Sequence, residues 1–263
     1  MDLNLSNLFG LSFSLLDVNM KRRIINTIIA VICFTAGNII AIKSIGQNRT
    51  VDSVYTYGPA TPGGLGKFYL RREIAHVISP SGSAWLDRNS RPQEENTQVA
   101  IDKIELPLTG VIADIGAGTG YYTFKLAPLV PKGKVYAVEI QDEMITALND
   151  RKKNLKNTNV EVIKGGTTSP NLPVNSVDLA IMVDVYHELE YPVEMLQAIG
   201  RSLKKGGKLL LIEYKGEDPK VAIRPLHKTT VAQLNKELGA NGFKLSYNGQ
   251  FLPIQHFLLY EKE

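Results

Sequence analysis

Val111-Ile-Ala-Asp-Ile-Gly-Ala-Gly-Thr-Gly120 decides how the chain is read. Val111, Ile112 and Ile115 make a short β-branched run of the kind buried in a parallel sheet. Gly116, Gly118 and Gly120 then keep side chains out of the following turn, so that a ligand can approach its backbone beside Ala117. A helical pattern resumes from Thr119 to Leu129. Strand, glycine turn and helix in that order form the first βα unit of an open sheet, where nucleotide-like ligands bind. A dinucleotide fingerprint, G-x-G-x-x-G, needs its third glycine at position 121, and that residue is Tyr121. The spacing is instead G-x-G-x-G, with Asp114 two residues ahead of it.

Working outward, Lys134 to Ile140 is a second strand ending at Glu139 and Ile140, where an acid can accept hydrogen bonds from ribose hydroxyls. Val160 to Gly165 is a third strand, followed by Gly165-Gly166-Thr167-Thr168. Val177 to Asp184 is a fourth, and Asp184, Tyr186 and His187 follow at its carboxyl end, facing the switch point of the sheet. His187 titrates near neutrality and suits a general base; a helix-start or packing role is the alternative. Pro192, Met195, Ile199 and Leu203 form a helix face closed by Gly206-Gly207, and Lys208 to Tyr214 is the fifth strand. Residues 215–228 read as an irregular substrate-side loop containing His227. Thr230 and Gln233 make a capping box for a helix ending at Gly239, and Phe243 to Phe251 with Ile254 to Tyr260 a closing hairpin.

The G-x-G-x-G turn behind Asp114 resembles motif I of the class I S-adenosylmethionine (SAM) methyltransferases. That resemblance implies a seven-stranded Rossmann-like α/β sheet with helices on both faces. It also implies SAM as cofactor, with its amino group held by Asp114, its methionine tail along Gly116, Ala117, Gly118 and Gly120, and its ribose at Glu139 and Ile140. This family often has an acid after the third strand for the adenine; here Thr167 takes that position. Arg72-Glu-Ile-Ala75, Trp85-Leu-Asp-Arg88 and the pair Glu94-Glu95 further resemble a largely uncharacterised bacterial group of these enzymes. In that group a glycine usually precedes the first motif and the second reads Leu-Glu-Arg; this chain has Arg71 and Asp87. The resemblance runs from about Phe68 to the C-terminus.

The remainder of the chain divides into residues 1–23, a basic-flanked start; 24–42, a hydrophobic helix; 43–67, a Pro- and Gly-rich linker; 68–105, a helical cap; and 106–263, the SAM-binding domain. Ile24 to Ile42 carries no charge and follows Lys21-Arg22-Arg23. At 19 residues it approaches the ~20 needed to span a bilayer and exceeds the roughly 7–15 of a signal-peptide core. It reads as a membrane anchor, with a cleaved export signal as the alternative. The flanking charges weakly place the domain outside the cytoplasm, in tension with a cofactor made inside cells. In the cap, Leu70, Ile74, Val77 and Ile78 give a helical stripe, and Pro92 starts a second helix reaching about Ile104. Trp85, Arg88, Arg91 and Glu95 either pack this cap or face the cleft.

The net charge of +4 is mild, and no basic run with interleaved aromatics suggests nucleic acid. Cys33 is the only cysteine and the four histidines are scattered, so no intramolecular disulfide forms and no metal site stands out. The expected activity is methyl transfer to a small-molecule or lipid-like acceptor. A non-catalytic SAM-binding or membrane-tethered interaction protein and, disfavoured by Tyr121, an NAD-dependent oxidoreductase are the rivals.

Overall fold

The computed structural model describes residues 54–263. The basic start, the run 24–42 read above as an anchor and the beginning of the expected linker therefore lie outside the described residues. No helix among those described is long and apolar enough to cross a membrane.

The described chain opens with a three-stranded antiparallel sheet of β1 (Tyr55–Tyr57), β2 (Gly64–Tyr69) and β3 (Arg72–Ala75). This corrects both the linker over its last residues and the helix expected from Leu70 to Ile78. Tyr69 pairs with Arg72 across a two-residue loop in which Leu70 and Arg71 have φ of 46° and 80°. Both values are positive, as in the type I′ turn that matches strand twist. Neither residue is the Asn or Gly that normally announces such a turn, so the apolar spacing was the only signal and it pointed to the wrong period. Helices α1 (Ser83–Leu86), α2 (Arg91–Glu95) and α3 (Thr97–Asp102) follow. The single helix expected from Pro92 is split into α2 and α3 at Asn96, which takes φ of 52°.

The main sheet comprises β4 (Val111–Ile115), β5 (Lys134–Glu139), β6 (Val160–Lys164), β7 (Val177–Val183), β8 (Leu203–Tyr214), β9 (Phe243–Gly249) and β10 (Gln255–Lys262). Their order is β6-β5-β4-β7-β8-β10-β9. All pairs are parallel except those made by β10. The expected seven-stranded α/β sheet is thus present with its antiparallel closing pair. Its helices are α4 (Thr123–Leu126), α5 (Asp142–Leu155), α6 (Pro192–Ser202) and α7 (Val231–Gly239).

Both faces of the sheet are covered, as the continuous apolar runs of its strands require. On β7, Leu179 and Ile181 join one core with Ile112, Leu148 and Leu210, while Ala180 and Met182 join the other with Met195, Leu196 and Leu234. α6 runs directly into β8 at Leu203, so Gly206-Gly207 lies within the strand rather than capping the helix. Only half of the expected capping box forms. Thr230 Oγ1 accepts from Gln233 N at 3.1 Å, but the Gln233 side chain turns to Glu237, 2.7 Å away.

α7 also ties the small sheet to the large one. Arg72 forms a two-pronged ion pair with Glu237, both contacts at 2.8 Å, and donates to the His187 carbonyl at 3.1 Å. Glu237 is wholly buried. A fixed fork matched to a buried carboxylate gives this contact directional specificity.

Candidate active site

A cavity of about 770 Å³ opens at the carboxyl ends of β4, β5 and β7. The turn after β4 forms its floor. Gly116 and Gly120 have φ of 74° and 85°, a region that favours glycine. Space matters there as well. A Cβ on Gly116 would stand 2.6 Å from Val185, and one on Gly120 would stand 2.5 Å from the Phe124 ring. These two glycines therefore make room for the protein's own side chains, whereas Gly118 turns its amide to Glu139.

Asp114 lies under the turn, 3% exposed, and Oδ2 accepts from the Thr123 hydroxyl at 2.6 Å. Burial raises its carboxyl to about 6 against the opposing effects of the Thr123 hydrogen bond and the Arg91 charge. Glu139, at the end of the neighbouring strand, accepts three backbone amides. Oε1 takes Ile140 N at 2.7 Å and Gln141 N at 3.0 Å, and Oε2 takes Gly118 N at 2.8 Å. A carboxylate offers about four acceptor positions, so one remains for a ribose hydroxyl while these bonds persist. A second hydroxyl would have to displace an amide. Ala117, Ile140 and Thr167 line the same cavity, as the sequence suggested.

Asp184 also reaches the cavity wall, with its backbone at φ of 54°. Both its oxygens accept from Gln255 Nε2, at 3.0 and 2.8 Å. Burial, reinforced by Glu95 and Glu213, raises its carboxyl well above the ordinary range. Below it lies a polar cluster in which Glu95 accepts from Arg88, Arg91 and Tyr214 at 2.7, 2.9 and 2.8 Å. Trp85 and Arg91 face the cavity, while Arg88 and Glu95 brace them from beneath. The cap thus both packs the fold and shapes the cleft.

Tyr186 does not reach the cleft, which corrects its assignment. Its ring is fully buried and its hydroxyl donates to Glu237 at 2.8 Å. The short 3-10 turn Tyr186–Glu188 sends consecutive side chains in different directions, and His187 takes the cavity side. His187 Nδ1 is 2.6 Å from Glu213 Oε2, and Nε2 is 3.0 Å from His227 Nδ1. Burial alone would lower the imidazole, but the Glu213 carboxylate more than offsets it and lifts it above its ordinary value. Glu213 also accepts the amides of Val185 and Tyr186 at 3.0 and 2.7 Å, fixing the loop from the adjacent strand. Sequence reasoning missed Glu213 because it sits in the apolar run of β8. Its pairing with the loop after β7 is a tertiary fact.

The cavity suits SAM in chemistry as well as place. Asp114 offers a carboxylate to an amino group, and Glu139 offers an open acceptor position to a ribose. Thr119 Oγ1 and Tyr122 Oη, on residues lining the cavity, are buried without a hydrogen-bond partner among the described residues, and such atoms call for a polar partner. When bound, SAM supplies an activated sulfonium methyl group.

The sheet order and the glycine turn are similar to those of SAM-dependent methyltransferases, the class of enzyme that the comparisons support. Residues 113–211 match the family described as "Methyltransferase domain". A ubiquinone/menaquinone biosynthesis C-methyltransferase of Pasteurella multocida is 29% identical over 119 residues, covering 44% of this chain and 43% of that protein. A tRNA U34 carboxymethyltransferase of Desulfotalea psychrophila is 32% identical over 101 residues, covering 38% and 31%. The matches thus span less than half the length of these two relatives. Among solved structures, a SAM-dependent methyltransferase from Aquifex aeolicus superposes with a TM-score of 0.66 at 26% identity, covering 70% of this chain and 98% of that one. An O-methyltransferase from neocarzinostatin biosynthesis, 17% identical with a TM-score of 0.57 over 69% and 58% of the two chains, shares the fold.

Proposed function

We propose that the protein transfers the SAM methyl group to a small-molecule or lipid-like acceptor entering beside His187. The observation that carries this reading is the convergence of Asp114, Glu139 and His187 on one cavity. The two acids suit opposite ends of the cofactor, and the Glu213–His187 pair stands at the mouth of the neighbouring strand. The relatives' names, one from quinone biosynthesis and one for tRNA U34, indicate unlike acceptors, so the acceptor class is read from the cleft itself. Its far wall carries the apolar side chains of Val77, Ile78, Trp85 and Leu86, which suit the apolar body of an acceptor. The uncharged run 24–42 supports delivery at a membrane, where such acceptors concentrate.

The test is calorimetric titration of the full chain with SAM, S-adenosylhomocysteine and NAD. Transfer of label from methyl-labelled SAM is then followed into lipid, small-molecule and RNA fractions. Binding of the first two ligands with label entering lipids or small molecules is expected. NAD binding alone, or label confined to RNA, overturns the reading. A reporter fused to the C-terminus fixes the side of the membrane.

A further inference from the structure

Next to the cofactor end of the cavity, the fold brings together three side chains that are distant or differently oriented in sequence. His187 and Glu188 come from the 3-10 turn after β7, and His227 from a second 3-10 turn, Pro225–His227, packed against it. One ligand atom from each lies within 4.8 Å of the other two. The His187 Nε2 to His227 Nδ1 distance is 3.0 Å; Glu188 Oε1 stands 3.5 Å from His227 Nδ1 and 3.8 Å from His187 Nε2. The histidine contact alone could be a hydrogen bond. Glu188 makes none to either ring at those distances, although it turns the same oxygen toward both and takes the Ile78 amide at 3.2 Å. Ligands about 2.0–2.1 Å from a tetrahedral zinc ion lie roughly 3.3–3.4 Å from one another, in the middle of the three observed spacings. The support behind the triangle points the same way. Glu213 holds His187 Nδ1 at 2.6 Å, so that in the neutral imidazole the proton sits on that nitrogen and Nε2 turns its lone pair toward His227 and Glu188. Carboxylate-braced imidazoles are the usual support of metal-ligating histidines.

We infer that His187, Glu188 and His227 form a binding site for one first-row divalent metal ion of the zinc or cobalt kind, with its remaining coordination positions facing the cavity. Two imidazoles and one carboxylate select such ions over magnesium, which prefers an all-oxygen octahedron. Three protein ligands leave room for a water or a substrate atom, as in catalytic rather than structural zinc sites. The ion narrows the acceptor to a molecule with a hydroxyl or carbonyl oxygen able to join it, since a coordinated hydroxyl gives up its proton to solvent more readily. A lone pair on Nε2 that holds an ion does not also take a proton, so in the loaded protein the ion replaces the free imidazole as the activating group. This assignment rests on the methyltransferase reading for what the ion activates, not for where it sits.

The test uses the untagged full chain, stripped with chelator. Co²⁺ is titrated by visible absorption and, in parallel, SAM by calorimetry. One Co²⁺ per chain with ligand-field bands is expected, together with markedly weaker Mg²⁺ binding. His227→Ala and Glu188→Gln should each weaken Co²⁺ by about 10- to 100-fold while SAM binding persists as evidence of folding. His227 is the better first target because its side chain is 22% exposed, whereas that of His187 is 2% exposed and its loss endangers the fold. Absence of saturable Co²⁺ binding, equal affinity in both variants, or Mg²⁺ held as tightly as Co²⁺ overturns the site. SAM bound without Co²⁺ defeats this inference alone, whereas Co²⁺ bound without SAM defeats the methyltransferase reading and leaves the site standing.

Discussion

Asp114 Oδ2 accepts the Thr123 hydroxyl at 2.6 Å beneath the glycine turn, yet this bond does not compensate for the burial of the carboxylate, which titrates at about 6. The native state therefore binds a proton more tightly than the unfolded chain. Its contribution to stability is largest below pH 3.8 and declines as pH rises to about 6, by on the order of 2–3 kcal/mol. Asp114→Asn removes that decline. In the ligand-free protein its melting temperature relative to wild type should be higher at pH 8 than at pH 4. SAM affinity should fall at least about tenfold, because a neutral amide loses the charge-assisted bond to an ammonium group. An equal change in melting temperature at both pH values would sink the account.

In the proposed reading the same carboxyl should set a pH window for the cofactor. SAM affinity of the wild type should weaken as pH drops below about 6, where Asp114 takes up a proton. Asp114→Asn should flatten that dependence. Calorimetric titrations between pH 5 and 8 provide the comparison, and an unchanged slope in the variant would move the effect to another group.

Glu139 holds three backbone amides, and the proposed reading also gives it the ribose. Glu139→Ala leaves three backbone amides without their carboxylate. A loss of roughly 2 kcal/mol is expected from the unsatisfied donors, or about 4–8 °C in melting temperature for a domain of this size. SAM affinity should fall by about tenfold or more. Thermal melts and SAM titrations on the same sample check both, and an undiminished melting temperature would show that solvent replaces the carboxylate freely.

Tyr186 should behave as a packing residue. Tyr186→Phe is expected to lower stability by about 1–2 kcal/mol with SAM affinity and turnover little changed. Glu237→Ala strips the partner from buried Arg72 and should cost about 3–5 kcal/mol. Urea denaturation midpoints give both values. A collapse of turnover in the stable Tyr186→Phe protein would restore the residue to the site.

The glycine-turn end of the cavity was legible in the sequence because its parts are local or recur at strand ends. Asp114, the glycines and Glu139 occupy positions fixed by a βα turn and the next strand. Tyr121 alone was enough to exclude the dinucleotide spacing. The His187 end of the cavity was not legible to the same degree. Glu213 looks like part of an apolar strand, and Glu188 and His227 are 39 positions apart; only the loop packing after β7 and β8 brings them to one point. The β2–β3 hairpin was misread for a different reason. Its turn uses Leu70 and Arg71 at positive φ, held by Arg72 on Glu237, so tertiary contacts overrode local preference.

The far wall of the cavity comes from Gly63 to Arg91, upstream of the 113–211 stretch shared with the wider family. The glycine-turn wall and this upstream wall of the cavity are therefore supplied by separate lengths of chain. Two proteins can agree at every position around the glycine turn and still serve unlike chemistries. Grafting the hairpin and its following short helices from one relative onto another is thus the natural way to redirect the enzyme, provided the Arg72–Glu237 clasp is transplanted with them.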